Sequence, residues 1–236
     1  MVVVLAERPL VMPLALWVER QNWGFVYQFG LPPWFEIAAA LVLMDYAFYV
    51  WHVLMHRVPF LWRMHLVHHV DLDLDASTAL RFHFTEMLAS IPWRAGQVVL
   101  IGLTPFSFSV WQCVFILSIL FHHSNIELPI CWERWLNKVI VTPRMHGIHH
   151  SIVERETNSN WSSGLTIWDW LHGTLRLNVP QAEVTIGVPA FQEQKAVTLP
   201  RILALPFEHQ PPSWEFPIGG APPAHSSEEP QTTLLR

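Results

Sequence analysis

Charged side chains are scarce in this sequence. They make up 14% of the 236 residues, against about 25% in an average soluble domain. Hydrophobic residues reach 51%, and 13 of them are tryptophan, which concentrates where membranes meet water. So little polar surface favours a membrane protein.

Runs of lysine or arginine are also missing. The chain has 14 basic against 19 acidic residues and a net charge of -5. Proteins that bind nucleic acid neutralise phosphates with clustered cations. We therefore predict no nucleic-acid partner.

Cysteine is nearly absent. Cys113 and Cys131 are the only two, and no Cys-x-x-Cys occurs, so the chain has neither a disulfide framework nor the ligands of an iron–sulfur cluster. A His-Glu-x-x-His motif is missing as well, which argues against a zinc protease. Any metal must be bound through nitrogen and oxygen.

Hydropathy divides the chain into three parts. Residues 1–33 are apolar but interrupted by charges and prolines, so we predict an interfacial segment rather than a signal peptide or a span. Residues 34–204 form the predicted membrane domain, in which Trp34 to Met55 is long enough to cross a bilayer as a helix. Residues 205–236 are rich in Pro, Gly and Ser, which predicts a disordered tail.

Histidines are numerous and regularly spaced. His52 and His56 are four residues apart, so they share one face of a helix, and Asp45 falls on the same stripe. Two later clusters have the spacing i, i+3 and i+4, which we expect to direct three imidazoles toward one point. These clusters are His65, His68 and His69, and then His146, His149 and His150.

Imidazoles at this spacing are typical of a metal site. A single buried histidine is usually a core residue whose ring nitrogens are hydrogen-bonded. Burying an imidazole whose nitrogens are not bonded costs free energy. Three groups of histidines at ligand spacing are therefore better explained by a bound metal. One first-row ion takes about four to six ligands, so eight or nine histidines predict two ions close together. Two irons beside an apolar pocket suit O2 activation for C–H oxidation.

The histidines belong to a longer series of motifs. These are Asp45-x3-Tyr49-x2-His52-x3-His56-Arg57, Trp62-x2-His65-x2-His68-His69, Arg81-x-His83-x2-Glu86, His123-Ser124-Asn125 and His146-x2-His149-His150, followed by Asn160, Trp168-Asp169 and Gly173-Thr174. In order and spacing the series resembles the fatty acid hydroxylase / sterol desaturase superfamily. The resemblance implies an all-α integral membrane protein whose helical cytosolic cap holds a His-rich di-metal site. Such proteins hydroxylate or desaturate lipids with O2 and electrons from a separate donor, which can be a reductase, a ferredoxin or a cytochrome b5-like protein.

The resemblance also implies the roles of individual residues, with no catalytic group beyond the metal centre. The metal ligands would be His52, His56, His65, His68, His69, His123, His146, His149 and His150. His83 and His122 are expected to support ligands or to be ligands themselves. Asp45, Glu86 and Asp169 are expected to hydrogen-bond to ligand histidines, with a salt bridge to Arg81 or Arg94 as the alternative for Glu86.

The leading hypothesis is a membrane-bound non-haem di-iron oxygenase that hydroxylates or desaturates a lipid or sterol-like substrate. Two alternatives stay open: a non-catalytic membrane metal-binding protein and a zinc-dependent hydrolase. Purified protein can also load zinc at sites meant for iron. The apolar segments predict a multi-pass membrane protein. Basic residues flank the histidine clusters, and we therefore predict that the metal site faces the cytoplasm.

Overall fold

The computed structural model describes residues 2–30, 32–217 and 220–223. Within these ranges the chain is helical and forms no β-strand, only two isolated bridges. The helices are α1 (Val2–Gln21), α2 (Pro33–Arg57), α3 (Pro59–His69), α4 (Phe84–Gln97), α5 (Pro105–His122), α6 (Ile130–Leu136), α7 (Pro143–His149), α8 (Glu154–Thr157), α9 (Ile167–Leu171) and α10 (Leu199–Ala204), with one π-helical segment, Val98–Gly102. The predicted all-α class is confirmed.

Two helices, α2 and α5, are long and apolar enough to cross a membrane. Only 28% and 33% of their apolar windows are buried inside the protein, so most of each helix presents apolar surface that lipid can cover. Both begin at a proline, which is well tolerated in the first helical turn because its missing N–H has no partner there. Pro59 starts α3 directly after α2 ends.

The helical bundle closes around α1, α2, α5 and the π-helical segment. Its core includes Val11 and Ala15 of α1, Met44 of α2 and Phe108 of α5. Gly24 and Gly102 both have positive φ, and a side chain on Gly24 would overlap the backbone of Gly102. Glycine is therefore required where the loop after α1 crosses the π-helical segment.

Helices α4 and α5 follow one another along the chain, joined by the π-helical segment and a short turn. Glu86 in the first turn of α4 and His122 at the end of α5 line one cavity. At the other end, the Arg94 guanidinium lies 4.4 Å from the centre of the Trp111 ring. The two helices are therefore antiparallel, with their histidine-side ends together.

The short helices α6 to α9 follow α5, and α7 packs against α5. A buried ion pair joins α7 to α6: Arg144 Nε donates to Glu133 Oε2 at 2.7 Å. Thr142 Oγ1 donates to the other carboxylate oxygen at 3.0 Å and accepts from the N–H of Met145. These contacts fix the helix that carries His146 and His149.

The domain boundaries at residues 33 and 205 remain predictions. In the structure α1 lies on the bundle, with Val11, Ala15 and Val18 buried. Of the predicted tail, Trp214 stacks on Trp62 with ring centroids 5.8 Å apart. Residues 224–236, which include His225, lie outside the described part of the chain.

Candidate metal centre

Five histidines form the first group, here called the five-histidine group. Each offers one ring nitrogen, and these nitrogens all lie within 4.8 Å of one another. Helix α2 contributes two of the residues, α3 contributes two and α7 contributes one. The group is His52, His56, His65, His69 and His149.

Four histidines form the second group, here called the four-histidine group, with the same 4.8 Å limit between their nitrogens. Its members come from α3, from α7 and from the residues that directly follow α5 and α7, and they are His68, His123, His146 and His150. Nε2 of His123 lies 3.1 Å from Nε2 of His68 and 3.0 Å from Nε2 of His146. All four rings are buried.

Each three-histidine cluster is divided between the two groups, so the expectation that its imidazoles point to one centre is wrong. His65 and His69 enter the five-histidine group, while His68 enters the four-histidine group. Consecutive residues on an α-helix point about 100° apart, which turns His68 and His69 toward neighbouring centres. In the later cluster the division is reversed: His149 joins the five-histidine group, and the other two residues join the four-histidine group.

Backbone carbonyls fix the tautomer of three rings. Nδ1 of His52 donates to Trp161 O at 2.8 Å, and Nδ1 of His149 donates to Ser159 O at 2.8 Å. Nδ1 of His123 donates to Ile119 O at 2.7 Å. Because a carbonyl oxygen only accepts, each neutral ring keeps its Nε2 lone pair for a metal.

Burial keeps these imidazoles neutral. It lowers the pKa of His123 to about 4 and that of His149 to about 3. Burial, followed by repulsion from the neighbouring histidines, also lowers the pKa well below its usual value for His68, His69, His146 and His150. At neutral pH the rings carry lone pairs rather than protons, as metal ligands must.

The arrangement fits a metal ion in each group. In the five-histidine group, Nε2 of His56, His65, His69 and His149 finds no hydrogen-bond partner among the described residues. A buried polar atom without a partner costs about 1–3 kcal/mol, and a cation bound between the nitrogens would remove that cost. Nitrogens bound tetrahedrally to an ion at about 2.0–2.1 Å stand roughly 3.3 Å apart, close to the separations in the four-histidine group.

Glu86 is the predicted carboxylate that reaches a histidine of the groups. Its Oε1 lies 3.0 Å from Nδ1 of His65. Of the two arginines named for the alternative salt bridge, Arg81 pairs with Asp71 at 2.8 Å, and the salt bridge to Arg94 stays a prediction.

Asp45 and Asp169 contact no ligand histidine, contrary to expectation. Asp45 Oδ2 accepts from the N–H of Leu165 at 2.9 Å and from Trp168 Nε1 at 2.7 Å. Asp169 accepts from the N–H groups of Trp161 and Ser162 at 2.9 and 3.0 Å. Both carboxylates instead satisfy backbone donors of the loop between residues 158 and 168, and thereby hold the carbonyl that orients His52.

His83 and His122 lie outside both groups. Nδ1 of His83 accepts from the N–H of Thr85 at 3.3 Å, and Nε2 lies 3.2 Å from Leu203 O, so His83 caps α4 and tethers the end of α10. The ring of His122 packs on His146 with centroids 4.0 Å apart.

The sequence did not predict that the backbone carbonyls on either side of Asn160 accept hydrogen bonds from ligand histidines. This residue has a positive φ of 50°, and its side-chain amide donates to Met145 O and Arg176 O at 2.9 and 2.8 Å. The turn directs the flanking carbonyls of Ser159 and Trp161 to two ligand rings. An asparagine in the motif series was the only sequence signal for this turn, since a carbonyl carries no residue identity.

An apolar cavity opens beside the histidines. Its walls come from α2, α4 and α5 and include Phe48, Met55, Met87, Phe115 and Ile119. Histidines of both groups line one end: His52, His65, His68, His123 and His146. The cavity therefore adjoins both histidine groups.

The sequence model of the fatty acid hydroxylase family matches residues 37–174, which contain both histidine groups. The chain belongs to the fatty acid hydroxylase family. No solved structure matches it.

Curated relatives of this family member share its central region. Ornithine lipid hydroxylase OlsE of Rhizobium tropici is 33% identical over 159 residues, which is 66% of this chain and 46% of the relative. Cholesterol 25-hydroxylase of Homo sapiens is 30% identical over 158 residues, 66% of this chain and 53% of the relative. Alkylglycerol monooxygenase of Homo sapiens is 27% identical over 175 residues, 66% of this chain and 36% of the relative. The chain spans about half the length of the curated relatives it matches, or less.

Proposed function

We propose that this protein is a membrane-bound non-haem di-iron oxygenase that hydroxylates a C–H bond of a lipid or sterol-like substrate. One observation carries the proposal: two adjoining groups of five and four histidines, each with nitrogens within 4.8 Å, line an apolar cavity between helices. Imidazole suits iron, copper, nickel and zinc, and of these, iron in pairs suits O2 chemistry at a C–H bond.

Two bound irons would activate O2 for insertion into the substrate. One oxygen atom enters the C–H bond and the other leaves as water, which consumes two electrons and two protons. The electrons come from a separate donor such as a reductase, ferredoxin or cytochrome b5-like protein.

The chain's own groups orient the ligands and exclude water. Carbonyls of Ser159, Trp161 and Ile119 hold Nδ1–H groups so that Nε2 faces inward, and Glu86 does the same for His65. Such supporting contacts change metal affinity or activity by about 10- to 100-fold. Side chains such as Phe115 and Met55 keep the cavity dry and hold an apolar chain.

The protein is proposed to cross the membrane more than once, with its metal side in the cytoplasm. Helices α2 and α5 both carry histidines at one end, His56 and His122, so their histidine ends face the same side. Exposed cations cluster near that end, including Arg57, Arg134 and Lys138. Cytoplasmic loops carry such an excess.

The names of the relatives favour an oxygenase over a metal-binding protein without activity or a zinc hydrolase, because they are hydroxylases and a monooxygenase acting on lipids. They also favour hydroxylation over desaturation. Neither a sterol nor an acyl chain is preferred by the cavity walls.

The test is lipid-dependent oxygen uptake by the full chain in detergent, loaded anaerobically with Fe(II) and supplied with a ferredoxin–reductase pair. We expect uptake with some lipid fractions and a product heavier by one oxygen atom. His149→Ala, purified and loaded identically, is the control. Uptake no greater than that of the control with every fraction would contradict the proposal, and a product lighter by two hydrogens would reassign it to desaturation.

A further inference from the structure

A groove between α6 and α9 lies apart from the metal centre. It shares no described lining residue with the cavity beside the histidines. Its volume is about 410 Å³, within the range of about 300–1,000 Å³ for sites that bind small molecules. Arg134 and Lys138 line it, and no aspartate or glutamate does so among the residues that the structure describes. The groove is therefore suited to an anion.

The two basic side chains are available to such an anion. Arg134 and Lys138 are four residues apart, one turn from each other, and both are exposed. In the described part of the chain neither forms an ion pair, and Lys138 Nζ lies over the Trp135 ring at 4.4 Å. Arg144 also lines the groove, but it is bound to Glu133. The anion would meet two free cations.

Thr166 supplies a polar atom that needs a partner. It is 2% exposed and lines the groove, and its Oγ1 has no hydrogen-bond partner among the described residues. Most buried side-chain polar atoms have one. A ligand oxygen that enters the groove could accept the hydroxyl proton of Thr166.

The groove lies where the lipid-facing surface of α2 ends. The exposed apolar residues of this helix, such as Trp34 and Val42, all precede Asp45, and from Asp45 to the penultimate residue none is exposed. The start of α9 packs at this level, because the N–H of Leu165 and Trp168 Nε1 both donate to Asp45. We therefore expect the membrane surface to pass close to the groove.

Exposed apolar side chains surround the two cations. Ile130, Ile167 and Trp170 line the groove and are exposed, and Trp135, which follows Arg134, is 72% exposed. Tryptophan concentrates at membrane–water interfaces, and long basic side chains there place their charges among the headgroups. This combination matches a phospholipid better than a soluble anion.

We propose that the groove binds the headgroup of an anionic glycerophospholipid from the adjoining leaflet. Arg134 and Lys138 contact the phosphate, and Thr166 Oγ1 donates to a glycerol or ester oxygen. The acyl chains lie outside, against Ile130 and Trp170. The lipid is a bound partner at the protein surface rather than the substrate, so this inference does not depend on the metal chemistry.

Lipid binding to the full chain in a non-ionic detergent, followed by native mass spectrometry, tests the proposal. Dioleoyl phosphatidylglycerol and dioleoyl phosphatidylcholine share their acyl chains and differ in net charge. Wild-type protein should prefer phosphatidylglycerol by roughly 30-fold, because each basic residue near an anionic lipid surface contributes about fivefold. The double variant Arg134→Gln with Lys138→Gln should lose this preference.

Thr166→Val tests the buried hydroxyl separately. Valine keeps the branched shape but cannot donate, so both lipids should bind about fivefold more weakly, the scale of one neutral hydrogen bond. The preference for phosphatidylglycerol should stay. Unweakened binding by this variant would overturn the placement of the headgroup in the groove.

A matched control removes the same charge elsewhere. Lys195 and Arg201 are exposed and pair with Glu193 and Glu208, so Lys195→Gln with Arg201→Gln should keep the preference. An excess of soluble glycerol 3-phosphate should not displace phosphatidylglycerol, because it lacks acyl chains.

Four other outcomes would overturn the proposal. They are equal binding of the two lipids by wild-type protein, an undiminished preference in the double variant, a preference lost equally in the control, and displacement by glycerol 3-phosphate. The third would show unspecific charge attraction, and the fourth would show a site for a soluble phosphate ester.

Discussion

The two histidine groups use the same ligand but are held in different ways. In the five-histidine group, three rings have an acceptor on Nδ1: Trp161 O for His52, Glu86 for His65 and Ser159 O for His149. In the four-histidine group, only His123 has one, at Ile119 O. The described residues give Nδ1 of His68, His146 and His150 no hydrogen-bond partner.

Ring packing replaces hydrogen bonds in the four-histidine group. Phe82 stacks on His68 at 4.7 Å, and His122 packs on His146 at 4.0 Å. Packing fixes where a ring lies, but a hydrogen bond also fixes which nitrogen carries the proton. We therefore expect the five-histidine group to bind its metal more tightly and the four-histidine group to release its metal first.

The largest effect is expected when one ligand is removed from either group. His149→Ala and His146→Ala should each lower oxygen uptake by more than about 100-fold, beyond the range for supporting contacts. Each variant should keep about one metal per chain, because the untouched group still has its ligands. Metal analysis of purified variants checks this, with the exposed His209→Ala as control. Loss of both metals from each variant would show one joint cluster instead of two separable sites.

A smaller effect should follow from Glu86→Gln. The amide still accepts from His65 but lacks the charge that strengthens the ring as a ligand, so metal affinity of the five-histidine group should fall about 10-fold. Competition with a chelator measures the release of each metal. In this variant the two metals should be released at more similar chelator concentrations than in the wild type. Glu154→Gln, on the exposed surface, should leave both steps unchanged. If Glu86→Gln left metal release unchanged, hydrogen bonds to Nδ1 would not explain tighter metal binding in the five-histidine group.

Acid should destabilise the metal-free protein. Burial lowers the pKa of His123 to about 4 and of His149 to about 3, whereas the unfolded chain binds protons near pH 6.5. The unfolded state therefore holds more protons below pH 6.5, and stability is lost as pH falls, by about 1.4 kcal/mol per pH unit for each extra proton. Thermal unfolding between pH 7.5 and 5 measures this loss. Bound metal should shift the loss to lower pH, and a melting temperature independent of pH would be incompatible with buried neutral rings.

The smallest effect is expected for His122→Phe. Phenylalanine keeps the ring that packs on His146 but has no nitrogen, so oxygen uptake should fall by less than about 10-fold. Metal content should stay at the wild-type value. If this variant lost the metal of the four-histidine group, His122 would be a ligand and the assignment of that group would be incomplete.

The fold class and the histidines that meet could be predicted from the sequence. The structure brings together all nine histidines predicted as ligands, because helical spacing is a local property that survives packing. Their role as metal ligands remains a prediction. The division into five and four could not be predicted, since it depends on how α3 and α7 dock face to face.

The supporting contacts were less predictable. Glu86 lies on His65, but Asp45 and Asp169 bind backbone donors of one loop. A helical stripe shows which way Asp45 points without showing which chain segment covers it. Gly164 of that loop lies against Asp45, where a side chain would overlap the carboxylate, and such a close approach becomes visible only in three dimensions.

Metal content and identity of the wild-type full chain, purified in detergent, test the central claim most directly. Mass spectrometry of the metals together with Mössbauer spectroscopy of iron-57-enriched protein would count and identify the ions. We predict close to two irons per chain, released in two steps under chelation. A single metal per chain, or little metal in freshly prepared protein, would contradict it.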